Sequence, residues 1–159
     1  VTRRWWAALA LAALLCAAAG GAYLRTAGDG DRSYAHTRDT ALDTGRRHVE
    51  KLSSVDPERA AESRTGWLTA ATGALRDQLA RAKPPAADAP AARATVTAAA
   101  LTALDERAGT AVLIATAEVE TTPPGGRATT DRRRLEADLT RTADGWKVSA
   151  LTAVPVAGS

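Results

Sequence analysis

The chain has no Phe, and its aromatic residues are limited to Trp5, Trp6, Trp67, Trp146, Tyr23 and Tyr34. A core must therefore be assembled largely from Ala, Leu and Val around a few large rings. Cys16 is the only cysteine, which excludes an intramolecular disulfide and gives no information on redox compartment. Metal sites need several converging ligands, and His36, His48 and one Cys form no recognised zinc pattern. No Gly-rich phosphate loop and no nucleophile elbow is present. Net charge is equally scarce. The formal +3 belongs to Arg3, Arg4 and Arg25, which flank the apolar N-terminal run, and from Thr26 onward 18 acids are balanced by as many bases. A neutral domain offers no long-range attraction for nucleic acid, whose binding depends on phosphate neutralisation. The densest basic run, Arg132-Arg133-Arg134, does not concentrate charge if it lies on a strand, because Arg133 then points away from its two neighbours.

What is present begins at the N-terminus. No charged residue occurs from Trp5 to Leu24, and a helix of about 20 residues rises about 30 Å, the thickness of the hydrocarbon layer. Nine residues of the run are Ala, and its five Leu contribute about −0.3 to −0.6 kcal/mol each to insertion. Arg3 and Arg4 precede it and Asp29 and Asp31 follow it, which orients the N-terminus toward the cytoplasm. Trp5 and Trp6 would sit at one interface and Tyr23 at the other. The alternative is a cleaved signal peptide, with Trp6 to Leu15 as its apolar region and cleavage at Ala17-Ala18-Ala19, releasing a secreted protein. Leu14 and Leu15 before Cys16 argue against lipid attachment there, and the Arg3-Arg4 pair is a weak twin-arginine signal. The expected organisation is a cytoplasmic stub and transmembrane signal anchor over 1–25, a tether over 26–32 and one extracytoplasmic domain over 33–156. A Pro/Ala-rich connection at 83–90 lies within that domain.

In the domain, Leu42, Gly45, Val49 and Leu52 recur at helical spacing, predicting a helix that ends near Ser53, with Arg46, Arg47, Glu50 and Lys51 on its other side. Asp56-Pro57-Glu58 has the form of a helix start, with Asp as N-cap, and predicts a short helix to about Ser63. Leu68, Ala71, Leu75, Leu79 and Ala82 mark a third, with Thr72 as a local N-cap if Gly66 and Gly73 break the run. Three prolines between Lys83 and Pro90 end the helical part. The period then changes to two. Strands are expected over Thr95 to Leu104, Thr110 to Thr121, Thr129 to Thr142 and Trp146 to Val154, with Asp144-Gly145 as the clearest hairpin signal. Leu135, Ala137 and Leu139 alternate with Glu136, Asp138 and Thr140, so one face of the third strand is wet. The class is α+β: two to three helices on a four-stranded antiparallel sheet.

Basic stub, single span, helices and a meander ending in a Trp strand come in an order that resembles the Mce-associated membrane proteins, where Mce stands for mammalian cell entry. The likeness is carried by Thr72-Gly73-Ala74-Leu75-Arg76-Asp77-Gln78-Leu79, Ala111 to Ala115 and Asp144-Gly145-Trp146-Lys147-Val148-Ser149. It implies a curved sheet wrapped around helices, the nuclear-transport-factor-2-like (NTF2-like) or cystatin-like cone. It also implies an accessory or stabilising part beside Mce-type lipid-import systems, with a single-pass membrane anchor, envelope-protein partners, no cofactor and no catalysis. The second strand departs from the family by offering Ala115, Ala117 and Val119 where relatives are bulkier or carry amides, which marks a surface where a partner face could have drifted.

The same fold houses enzymes with a carboxylate or His in the cavity, so His and carboxylates near the apolar stripe are the candidates for such work. His48 lies one residue from the apolar stripe, with Arg47 and Glu50 nearby; a half-exposed helix histidine is the simpler account. His36 belongs to the first turn or the tether, and Asp39 and Asp43 are expected as surface acids near a helix start. Trp67 and Trp146 are expected in the core. No residue is assigned a catalytic, cofactor-binding or metal role. The reading is a non-catalytic, membrane-anchored accessory protein of the envelope. Its alternative is a small-ligand carrier or enzyme using the cone-shaped cavity.

Overall fold

The computed structural model describes residues 32–155. The chain divides into two compact units, Val1–Thr37 and Arg38–Ser159. Of the first, residues 32–37 are described and are helical; the expected membrane span, Trp5 to Leu24, lies outside the described residues. Among the described residues no helix is long and apolar enough to cross a membrane.

In the second unit, α1 covers residues 38–52. Its buried line is Ala41, Gly45 and Val49, one residue per turn, with Leu42 and Leu52 packed at the margin. Gly45 sets the closeness of the packing. A Cβ there would stand 2.8 Å from Leu139 Cδ1 and 3.2 Å from Leu113 Cδ1, so only a residue without one lets the helix rest on these two leucines.

Asp56 performs the capping expected of it. Its Oδ1 accepts from the backbone N–H of Glu58 (3.1 Å) and Arg59 (3.4 Å) and starts a 3₁₀ turn, Pro57–Arg59. The turn runs directly into α2, Ala60–Ala70, seven residues past the expected end at Ser63. Gly66 does not break this helix; it lets the aliphatic stem of Lys51 lie against α2. The interruption falls at Ala71 and Thr72, where the chain turns extended so that the Thr72 N–H can donate to Val148 O at 2.8 Å. Thr72 occupies the N-cap position of α3, Gly73–Arg81, but its side chain makes no capping bond. Gly73 has φ +56°, a value glycine adopts without strain.

After an irregular connection over residues 82–90 come β1 (Ala91–Asp105), β2 (Thr110–Thr122), β3 (Thr129–Thr142) and β4 (Gly145–Ala153). They form one antiparallel sheet in the order β1-β2-β3-β4. β1 starts four residues before the expected Thr95, because Ala91 and Ala92 pair with Thr122 and Thr121 and Ala92 also bridges to Val55. β4 starts and ends one residue early. Bulges interrupt β1 near Thr97 and Thr102 and β4 opposite Asp138–Leu139, devices that bend and twist a sheet.

The core lies between α1 and the inner face of the sheet, where Val49, Val96, Leu113, Leu139 and Val148 are the largest fully buried side chains. Trp146, 4 % exposed, closes the β4 side as expected. Trp67 is only partly buried, and its indole N–H donates to Ser54 O at 2.9 Å, tying α2 to the end of α1. The expectation of a partner surface at Ala115, Ala117 and Val119 is corrected: all three are buried on the core face of β2, and their small size makes room for the helix.

Candidate functional site

The polar residues of α1 do what their sequence position did not disclose. Arg46, Glu50 and Ser54 stand four residues apart and so share one side of the helix end. They meet the outer edge of β1. Arg46 Nη2 donates to Val96 O (2.9 Å), Glu50 Oε1 accepts from the Val96 N–H (2.8 Å) and Ser54 Oγ accepts from the Ala94 N–H (2.9 Å). Ser54 Oγ also donates to Glu50 O at 2.7 Å, and Val55 exchanges two backbone bonds with Ala92 at 2.8 and 2.9 Å. Three side chains and one backbone bridge thus replace the missing neighbour strand over the first half of β1. Arg46 and Glu50, expected on the helix side away from the apolar line, are thus tied to the sheet edge. Their spacing of four was the available signal, but it also fits an ordinary solvated helix face, and the strand they reach lies more than 40 residues away.

Beside this seal a cleft of about 650 Å³ opens between the end of α1, α2 and the start of β1. Lys51, Asp56, Arg59, Glu62, Arg93 and Glu120 supply its charges, and neither His nor Cys lines it. Arg59 is engaged at the rim: its Nε and Nη2 donate to Asp56 Oδ2 at 2.9 and 2.8 Å, and its Nη1 lies 3.7 Å from Glu62 Oε2. The hydrogen bond from Arg59 holds the Asp56 carboxyl below the usual carboxylate range, and the same bond raises the Arg59 guanidinium. The cleft is an open, mixed-charge surface suited to polar contact. It brings together none of the residues weighed as acid or base from sequence.

His48 is half-buried on α1, with Nδ1 buried and lacking a partner among the described residues. Burial lowers its pKa, and Lys51, Arg47 and Lys147 lower it further. The cations that act on it favour the neutral imidazole, as its burial does. His36, Asp39 and Asp43 are exposed, Asp39 at 3.5 Å from Arg38 Nη1. Among the described residues no group of three or more His, Cys, Asp or Glu could hold a metal ion. Arg132 and Arg134 share the outer face of β3, and Arg133, in register with Ala117, points to the other side, as the strand period requires.

No family model matches the chain, and no curated protein matches it. Solved structures do. CagV of Helicobacter pylori strain 26695, a VirB8 homolog of a type IV secretion system (T4SS), aligns with a TM-score of 0.57 at 10% identity, over 74% of this chain and 98% of CagV. An NTF2-like protein involved in plasmid conjugation aligns with a TM-score of 0.53 at 12% identity, over 77% of this chain. Of that protein's own length 51% is covered, so the chain spans about half of it. At such identities the likeness concerns fold. The domain has the NTF2-like fold: three helices on a curved four-stranded antiparallel sheet.

Proposed function

We propose that the chain is a non-catalytic accessory protein of the cell envelope, tethered by Trp5 to Leu24 and acting through contacts of its outer domain with other envelope proteins. The observation that carries this reading is the occupied interior. Where a carrier or enzyme of this fold would keep a cavity, Gly45 lets α1 settle directly on Leu113 and Leu139, with Val49, Val148 and Trp146 filling the rest. The polar side chains near the helix end are spent on sealing β1, and the charged cleft is open to solvent. Such a domain has surface to offer rather than a chamber.

The resemblance to Mce-associated proteins directs the proposal to a lipid-import complex. The structural neighbours, one from a T4SS and one involved in plasmid conjugation, direct it to envelope accessory work in general. The test is to express the tagged full chain in a related host, separate membrane from soluble fractions and identify what co-purifies from the membrane. Full-length membrane retention with lipid-import components is the expected result. Retention with secretion components would keep the accessory role and discard the lipid system. A shortened, soluble species without partners would overturn the proposal in favour of a secreted carrier.

A further inference from the structure

The seal on β1 stops halfway. Val55 pairs with Ala92, Ser54 accepts from the Ala94 N–H, and Glu50 and Arg46 satisfy the N–H and carbonyl of Val96. These three positions of β1 are therefore the ones whose backbone groups point away from β2. Beyond Val96 the register with β2 slips by one residue, and it slips again between Leu101 and Ala103, so the outward positions become Ala99, Leu101 and Leu104. β1 lies at the end of the strand order, with β2 on one side. Among the described residues nothing bonds to the outward N–H and carbonyl groups of Ala99 and Leu101.

A strand edge left to water usually carries Lys, Pro or an inward-pointing charge that keeps other strands off. From Ala94 to Leu104 no residue is charged and none is Pro. The two bulge threonines do not cover the edge either. Thr97 Oγ1 donates to Thr116 O at 3.2 Å and Thr102 Oγ1 to Val112 O at 3.3 Å, both back toward β2. The bulges do limit the length of the open run. Between them Ala98 to Leu101 pair regularly with Thr116 to Leu113, a stretch that fits a short added strand and interrupts a long one.

We propose that this run accepts an extended segment of a partner protein as an added strand, antiparallel to β1. Outward N–H and carbonyl groups in strand alternation are matched step by step only by another extended backbone. The edge already takes one residue in that way, since Val55 forms an antiparallel bridge with Ala92. A segment that exchanges both bonds with Ala99 and both with Leu101 gains roughly four hydrogen bonds. Side chains on β1 set its chemistry, because residues directly opposite each other share a face. Partner residues opposite Ala99 and Leu101 lie on the core side, where Ala99, Leu101 and Leu104 are partly buried against the core, and are required to be apolar. The residue between them lies beside the exposed Ala98 and Ala100 and is free to be polar. The pattern is apolar, any, apolar, with no charge needed, so binding is insensitive to salt. The inference rests on the accessory reading for the source of the segment, another envelope protein, and the edge itself does not depend on it.

The probe is a short capped peptide alternating Val and Thr, added at about 1 mM, the range of a weak contact, to the full chain in mild detergent. Amide exchange is followed residue by residue. The peptide should slow exchange at Ala99 and Leu101 by about tenfold or more, at low and high salt alike, and leave the already bonded Ala94 and Val96 unchanged. N-methylation of its valines should abolish the effect, whereas N-methylation of its threonines, whose amides face away from β1, should preserve it. Ala99→Pro removes one outward donor where an edge strand tolerates proline and should weaken the effect by about fivefold or more; the methylated peptides decide the matter if that variant unfolds. Exchange at Ala99 and Leu101 that the peptide does not change, or that both methylated peptides slow equally, would overturn the proposal. In membranes of a related host, a photo-cross-linker at Ala100 should capture an apolar, any, apolar segment of an envelope protein, and one at Thr95, beside the sealed half, should not. Capture of a second copy of this chain at Ala100 would overturn the choice of occupant. Peptide protection in a chain that proves soluble and without envelope partners would support the edge and overturn the accessory reading.

Discussion

Along β2, Ala111, Leu113, Ala115, Ala117 and Val119 face α1 and are buried, whereas Val112, Ile114, Thr116 and Glu118 between them face away and keep part of their surface in water. Both sets follow from one period of two, and residue type barely separates them, since Val112 and Ile114 are as apolar as anything in the core. What separates them is which side the helices cover. On the inner face, volume is decisive: alanines and one glycine bring a helix close, and each buried atom is held by several neighbours. On the outer face the side chains keep contact with water, and single changes there should leave the fold intact.

Substitutions should register this difference in graded steps. Trp146→Ala removes the largest buried side chain of β4 and should destabilise the domain by about 3 to 5 kcal/mol, read from chemical denaturation. Gly45→Val drives two methyl groups toward Leu139 and Leu113 and should cost about 2 to 3 kcal/mol, whereas an equivalent insertion on the outer face at Ala100 should be almost silent. Glu50→Ala leaves the Val96 N–H without its acceptor and should cost about 1 to 2 kcal/mol, with faster amide exchange at Val96 and Ala94 as the local signature. Arg134→Ala should stay within about 0.5 kcal/mol of the parent in stability.

The smallest effect concerns pH. The folded state holds the His48 pKa below 6.5, chiefly by burial, so the unfolded chain binds the proton more readily. Stability from this residue is present above the unfolded value and declines as pH falls below it, because protonation then favours unfolding. His48→Gln should flatten the dependence of the thermal midpoint between about pH 7 and pH 5. Asp56 adds a second slope at lower pH. Its carboxyl is depressed by Arg59, so its contribution is complete above the usual carboxylate range and is lost as pH falls through the folded value. Asp56→Asn should remove that slope and leave the His48 slope in place.

The readable parts of the fold were those with a strong local period or turn. β3 lies where the alternation of Leu135, Ala137 and Leu139 put it, and Asp56 and Asp144-Gly145 act locally, so their roles were legible. The errors arose where distant residues decide. Ala91 and Ala92 carry no alternation and become strand because Val55 and β2 pair with them. Gly66 was a plausible breaker by propensity, yet the break moved to Thr72, whose N–H has a partner on β4. The seal on β1 was illegible for the same reason: Arg46, Glu50 and Ser54 look like solvated residues until a strand from later in the chain arrives. The cleft joins α1, α2, β1 and β2, so no stretch of sequence announces it.

The seal also sets an order of events during synthesis. Arg46, Glu50 and Ser54 leave the ribosome 50, 46 and 40 residues ahead of the β1 groups they bond, so the guard is made before the edge it guards. A fragment that begins beyond Ser54, whether from internal initiation or from a protease cut, would carry β1 with its first half unpaired. Such an edge seeks another strand, so the shortened product should aggregate where the full domain does not.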